Sequence, residues 1–281
     1  MPLTLAHPLA VVPFFRWLPP AALIAGAVAP DSVYYVPIPL TGSATHSACG
    51  VLSWNVLLGL ALLAAFRLSA EPATALTSFR VPLRPLPEHR KDRTGRRTPA
   101  PSGAAPAVSP CTIGAIVIGA STHVLWDFCT QTAGFAVQHW EVLRLPVIEP
   151  HKVYNVLGYV SSVVGTVAFG VVIWRRAERV PSMLPPLWRS TIVTVLLGVA
   201  LLGALLAVTD PLAHPSPYDL VRLVIISAAE CLLCAWVGYV TLWWVARLGR
   251  RWRAGHQRIA GIRLPHPLRP GFRSWRRVRR R

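Results

Sequence analysis

The stretch TIVTVLLGVALLGALLAVT at residues 191–209 contains no charged residue and is long enough for a helix that crosses a bilayer. An α-helix needs about 20 apolar residues to span a hydrocarbon core of about 30 Å. Four further stretches of suitable length and apolar character lie at residues 51–68, 111–134, 153–174 and 223–245. The sequence therefore predicts an all-α fold, a polytopic integral membrane bundle of five transmembrane helices.

The composition excludes two other classes of protein. Of the 281 residues, 53% are hydrophobic and 14% are charged, whereas soluble globular proteins carry roughly 25% charged residues. This excludes an ordinary soluble domain. An intrinsically disordered chain is excluded as well, because disorder requires low hydrophobicity.

The apolar region at residues 9–29 is interrupted by Pro13, Arg16, Pro19 and Pro20. Proline inside a helix removes a backbone hydrogen bond and clashes with the preceding turn. We therefore expect two short N-terminal helices, re-entrant or interfacial, with a sixth crossing at residues 18–29 as the alternative. A cleaved secretory leader is disfavoured, because no basic residue precedes the apolar stretch and Pro30 follows the small residues at 27–29.

The positive charge is concentrated in three places. Residues 67–97, 175–189 and 247–281 together hold 25 of the 29 lysines and arginines. Basic loops remain on the cytoplasmic side of a membrane protein. We therefore expect a multi-pass protein of the cell membrane with a cytoplasmic C-terminus. Its membrane domain would cover residues 1–248 and include a disordered basic cytoplasmic loop at 69–110, followed by a disordered Arg-rich cytoplasmic tail at 249–281.

This topology places residues 31–50, 131–152 and 210–218 outside. Membrane lipids are the expected partners, and the Arg-rich loop and tail are expected to contact anionic lipid. No nucleic-acid partner is expected, because topology accounts for the net charge of +18. RNA binding by the tail is the alternative.

Ionisable side chains within a membrane span are costly and are therefore candidates for function. His123 and Asp127 lie four residues apart in the second span and share one face of a helix. Asp31, His46 and His7 belong to the segments that precede the first span. Imidazole and carboxylate ligands together suit a divalent metal such as zinc, manganese or iron. The alternative is that His123 and Asp127 form a buried pair that ties helices together.

Three further polar residues lie in later spans. Glu230 is an acidic residue inside the last span, where a structural, lipid-facing role competes with a role as proton relay. Ser161 and Ser162 belong to a row of small residues in the third span, together with Gly158 and Gly165. Small residues favour close helix packing, although the hydroxyl groups could also reach a substrate.

The order of these motifs resembles a known pattern. His7-Pro8, Ala29-Pro30-Asp31, Thr45-His46-Ser47, His123-Val124-Leu125-Trp126-Asp127 and the later Ser161-Ser162-Val163-Val164-Gly165 are similar to a bacterial family of membrane proteins described by a domain of unknown function, over residues 1–175. More distantly, the pattern resembles membrane-bound metal-dependent hydrolases and the ligand set of zinc-dependent phospholipase C. This resemblance implies the following metal ligands: His7, Asp31, His46, His123 and Asp127.

The resemblance implies an activity as well as a ligand set. It points to a metal-dependent hydrolase, with zinc as the expected cofactor, that acts on a phosphoester or lipid-like substrate at the outer membrane face. The phospholipase pattern continues with another histidine and a His-x-x-x-Glu pair, which this chain lacks after Asp127. A complete three-metal site is therefore not expected. The alternative is a non-enzymatic structural or transport-related membrane protein in which the same residues pack helices.

Overall fold

A computed structural model of the chain describes residues 3–82, 108–214 and 217–259. The two compact units of the chain are residues 1–236 and 237–281, and the His and Asp residues discussed below all lie in the first. The helices, with 3-10 helices labelled η, are η1 (Thr4–Arg16), α1 (Pro20–Val28), η2 (Ala29–Tyr34), α2 (Gly42–Thr45), α3 (Ala48–Leu52), α4 (Trp54–Thr77), α5 (Pro110–Thr130), α6 (Phe135–His139), α7 (Glu141–Arg144), α8 (Val153–Arg176), α9 (Pro186–Val208), η3 (Pro211–Ala213) and α10 (Pro217–Ile259).

Strands are confined to two short antiparallel ribbons within the described residues. The first pairs β1 (Phe79–Arg80) with β4 (Glu178–Arg179). The second pairs β2 (Pro146–Ile148) with β3 (His151–Lys152). The first ribbon pairs the segment after α4 with the segment after α8, and the second lies between α7 and α8. Because both are so short, the fold is all-α.

Within the described ranges, five helices are long and apolar enough to cross a membrane: α4, α5, α8, α9 and α10. This confirms the predicted all-α bundle of five spans. Two boundaries differ from the prediction. The first nine residues of the predicted loop, 69–77, are the end of α4, and residues 249–259 of the predicted tail continue α10. Residues 78–82 and 108–110 of the predicted loop are also described and include β1 and the first residue of α5. Residues 83–107 of the loop and 260–281 of the tail lie outside the described residues.

The N-terminal segment forms two short helices, as its prolines predict. The first, η1, runs along α8: Leu3 donates a backbone hydrogen bond to Ser162 Oγ over 2.8 Å, and the Arg176 guanidinium lies 5.0 Å from the centre of the Phe15 ring. A 3-10 helix rises about 2.0 Å per residue, so its 13 residues cover about 26 Å. The chain then turns at Trp17 and returns through α1 as the second half of a helical hairpin.

Helix α1 forms the centre of the buried core. Its residues pack with η1, α4 and α5 in one apolar cluster that includes Val11, Phe15, Leu23, Leu63 and Ile116. Gly26 and Gly119 permit the closest contact, between α1 and α5. A Cβ at Gly26 would lie 2.2 Å from the Ile116 carbonyl oxygen, and one at Gly119 would lie 2.3 Å from the Leu23 carbonyl oxygen. The two backbones therefore touch directly, which brings the C-terminal end of α1 beside His123.

Candidate metal centre

Four of the five predicted ligands form one compact group. Asp31, His46, His123 and Asp127 each offer one nitrogen or oxygen atom, and these four atoms lie within 4.8 Å of one another. Asp31 comes from η2, His46 follows α2, and His123 and Asp127 lie on successive turns of α5. Among the described residues, this is the one group of at least three such side chains with metal-binding geometry.

The spacing within the group matches that of metal ligands. The two histidine Nε2 atoms lie 3.1–3.5 Å from the nearer carboxylate oxygens of Asp31 and Asp127. Four ligands bound tetrahedrally at about 2.0–2.1 Å lie about 3.3–3.4 Å apart. A charge-assisted hydrogen bond from a nitrogen to a carboxylate is shorter, at about 2.7–2.9 Å. The distances therefore fit a shared cation better than a set of direct ion pairs.

Several buried atoms in and beside the group have no hydrogen-bond partner. Buried unpartnered atoms are costly in a folded protein, and each calls for an explanation such as an ion or water. Five of them converge on this one region, and each belongs to a predicted ligand: His7 Nε2, Asp31 Oδ1, His46 Nε2, His123 Nε2 and Asp127 Oδ1. The donor set suits a divalent metal, since it combines imidazole nitrogens with carboxylate oxygens.

Backbone carbonyl groups fix the orientation of the two histidines in the group. His123 Nδ1 lies 2.7 Å from the Ala27 carbonyl oxygen, and His46 Nδ1 lies 2.8 Å from that of Gly42. A carbonyl only accepts hydrogen bonds, so each Nδ1 is the protonated donor. The Nε2 atoms are then directed at the centre. Such outer partners commonly orient the histidines that bind metals.

The two carboxylates are held in a similar way by residues that the sequence analysis did not identify. Thr4 Oγ1 donates to Asp31 Oδ2 over 2.6 Å, and Tyr35 OH lies 3.1 Å from the same hydroxyl. Gln131 Nε2 donates to Asp127 Oδ2. Asp31 Oδ1 is left for the centre of the group. In Asp127, Oδ2 faces His46 and His123, whereas Oδ1 faces His7. Spacing could have revealed Gln131, because it lies four residues after Asp127, directly after the end of α5.

His7, the fifth predicted ligand, lies beside the group and outside the set of four. Its ring stacks on that of His123, with 3.7 Å between the ring centres and 17° between the planes. His7 Nε2 lies 3.7 Å from Asp127 Oδ1. Burial lowers the pKa of His7 to about 4, so the imidazole is neutral at neutral pH and retains a free lone pair.

The charges of the group shift two further pKa values. Burial acts to raise the pKa of Asp31, but contacts with His123, His46 and Thr4 outweigh it and hold that pKa well below its usual range. Burial opposes protonation of His46, but the nearby Asp127 and Asp31 raise its pKa to about 10. Without a cation, His46 therefore carries a proton that an incoming metal must displace.

The remaining candidates lie away from the group. Ser162 Oγ accepts the hydrogen bond from the Leu3 backbone, and Ser161 Oγ accepts one from Trp126 Nε1 over 3.2 Å. The two serines therefore join α8 to the N-terminal segment and to α5. Gly165, in the same row of small residues, packs against Ala6. Glu230 lies half-buried on α10 and does not belong to the group.

Searches of curated proteins and of solved structures return no match, so no named relative supports the similarity to metal-dependent hydrolases. A family profile matches residues 1–241, which extends the expected similarity beyond residue 175 to nearly the whole of the last span. The chain belongs to this family, DUF4184, which is described as a domain of unknown function.

Proposed function

We propose that the protein is a membrane-embedded, metal-dependent hydrolase that acts on a phosphoester or lipid-like substrate at the outer membrane face. The observation that carries the proposal is the convergence of unpartnered buried nitrogen and oxygen atoms at metal-ligand spacing. A divalent cation bound there, with zinc as the first candidate, would polarise an ester oxygen and lower the pKa of a coordinated water. Asp31, His46, His123 and Asp127 would hold it.

The exposure of the side chains supports access from one direction. His46 is 15% exposed, whereas the other four side chains are at most 5% exposed. A substrate would therefore reach the group past His46. Since His46 belongs to the predicted outer segment 31–50, this opening favours a substrate presented at the outer face.

Tyr34 lies at this opening and is suited to bind the substrate. Its ring centre is 6.4 Å from that of His46, and the residue is 42% exposed. The absence of a side chain at Gly42 leaves space for the Tyr34 hydroxyl, because a Cβ at Gly42 would lie 2.1 Å from Tyr34 OH. Burial and the charges of Asp31 and Asp127 raise the pKa of Tyr34. The hydroxyl therefore keeps its proton and can donate it in a hydrogen bond to a substrate oxygen.

The test combines metal content with turnover. Detergent-purified full-length protein is loaded with zinc or manganese and assayed for hydrolysis of phosphomonoester and phosphodiester lipids in mixed micelles. Asp127→Asn removes one ligand charge at nearly constant volume. We expect it to lose bound metal and to lower activity more than about 100-fold, because changes to outer partners alone cost 10–100-fold.

Asp210→Asn is the matched control. Asp210 lies outside the group and accepts a hydrogen bond from the Leu212 backbone through Oδ1, an acceptor that asparagine keeps. It should retain both metal and activity. Wild-type protein that binds no metal, or that binds metal and hydrolyses none of these lipids, would contradict the proposal.

A structural metal site is the second candidate. Four protein ligands in tetrahedral arrangement are typical of structural zinc sites, whereas catalytic zinc keeps an open position. Here the cation would tie the N-terminal hairpin to α5. It would stabilise the fold by about 2.7 kcal/mol at 100-fold excess over its Kd, without turnover, and Asp127→Asn would abolish that stabilisation.

We further propose that anionic lipid headgroups contact the Arg-rich segments at 69–110 and 249–281. This follows from their charge, since each basic residue near an anionic surface contributes about 1 kcal/mol.

A further inference from the structure

His7 has the chemistry of a ligand but no place among the four. Its Nε2 and Asp127 Oδ1 are both buried, both unpartnered and 3.7 Å apart. This separation is too long for a hydrogen bond. Two ligands at about 2.0–2.2 Å from one ion can be separated by up to about 4.1–4.3 Å, so the gap between these two atoms accommodates one cation.

The stacking of His7 on His123 prevents both rings from binding the same ion. A metal bound by an imidazole nitrogen lies in the ring plane, where the lone pair points. The two planes differ by 17° and the ring centres are 3.7 Å apart. Planes this close to parallel do not meet within bonding distance of the two nitrogens. A cation in the plane of His123 therefore lies well outside the plane of His7.

Asp127 connects the two positions through its separate oxygens. Oδ2 lies 3.1 Å from His46 Nε2 and 3.4 Å from His123 Nε2, whereas Oδ1 faces His7. A carboxylate that uses one oxygen for each ion is suited to a two-metal site, in which the ions lie about 3.5–4 Å apart.

We infer that the site holds two divalent cations, the second bound between His7 Nε2 and Asp127 Oδ1, with Asp127 as the bridge. This inference rests on the proposed function, since the first cation occupies the group of four. The second has two protein ligands, so oxygen atoms of water or substrate complete its coordination.

The charge balance identifies the class of substrate. One divalent cation neutralises the carboxylates of Asp31 and Asp127, and a second leaves the site with two net positive charges. Such a site favours an anionic phosphoester, which would enter past His46 and supply oxygen ligands to the second cation.

The test counts metal ions in full-length protein loaded with manganese. We expect two ions per chain in the wild type and one in His7→Gln, because His7 serves the second position alone. His46→Gln should weaken the first position. His139→Gln is the matched control, since His139 is exposed and its Nδ1 contacts the Phe135 carbonyl oxygen; it should keep two ions.

Electron paramagnetic resonance provides an independent readout. Two manganese ions bridged by one carboxylate give an exchange-coupled spectrum, and a single ion gives an uncoupled six-line spectrum. The wild type should give the former and His7→Gln the latter. If His7→Gln fails to insert, the wild-type spectrum and stoichiometry decide alone. If the wild type binds one uncoupled ion, the second position is wrong and the proposed function stands. If the wild type binds no ion, both the second position and the proposed function are wrong.

Discussion

His123 Nδ1 lies 2.7 Å from the carbonyl oxygen of Ala27 and is directed at it. This contact joins the metal centre to the packing of α1 on α5, because a helix carbonyl near the end of α1 orients a ligand on α5. The geometry of the centre therefore depends on how closely the two helices approach.

Gly119→Ala tests this dependence. The added Cβ would lie 2.3 Å from the Leu23 carbonyl oxygen and 2.7 Å from the Ala27 nitrogen, so α1 must move away from α5. Overpacking of this kind costs about 1–3 kcal/mol, and we expect bound metal to fall as well. Thermal unfolding and elemental analysis measure both effects.

Gly114→Ala is the control on the same helix. A Cβ at Gly114 meets nothing within 4 Å, and alanine favours a helix by about 1 kcal/mol over glycine. Its stability should be unchanged or higher and its metal content normal. Equal metal content in both variants would show that the helix contact does not govern the centre.

Thr4→Val removes the hydroxyl that holds Asp31 while keeping the shape of the side chain. Since outer partners typically contribute 10–100-fold to metal affinity, we expect a loss in that range, and Thr4→Ser should restore most of it. Competition with a chromophoric chelator measures the affinity. Thr191→Val is the control, because Thr191 Oγ1 donates to the Leu187 carbonyl oxygen within α9. If Thr4→Val binds metal as tightly as the wild type, the Thr4 hydroxyl does not contribute to metal binding.

Metal affinity should rise with pH. The raised pKa of His46, about 10 in the metal-free protein, means that its imidazole is protonated at neutral pH. Each cation that binds Nε2 must release that proton, since metal ligands bind deprotonated. The apparent affinity should therefore increase at least about tenfold per pH unit between pH 7 and 9. Chelator competition at several pH values measures the slope, and a flat profile would contradict the assigned role of His46.

Reporter fusions test the topology. Fusions after Gly103 and at the C-terminus should report cytoplasm, and one at Ser216 should report the outside, because the basic segments set the orientation. A fusion at residue 2 should also report the outside, since η1 and α1 run along the bundle and return to the end that holds Asp31. If a fusion after Gly103 reports the outside, the predicted orientation is wrong and the metal centre faces the cytoplasm.

The sequence predicts the five spans because each is a long apolar run, and it identifies His123 and Asp127 because polar residues in a span are conspicuous. Asp31 and His46 were identified as candidate ligands from the order of the motifs in the sequence. The structure places both beside His123 and Asp127 on α5. The 3-10 conformation of η1 could not be predicted, since such helices rarely exceed 3–4 residues. Thr4 was overlooked for that reason, although residues three apart in a 3-10 helix share a face and so align Thr4 with His7.

The contact between Ala27 and His123 joins residues 96 positions apart in the chain. At about 5–20 residues per second, the ribosome needs about 5–20 s to synthesise the chain between them. During that interval the hairpin of η1 and α1 exists without the helix against which its apolar face packs, and His7, Asp31 and His46 have no counterpart on α5. Assembly of the metal centre is thus delayed until α5 has been synthesised.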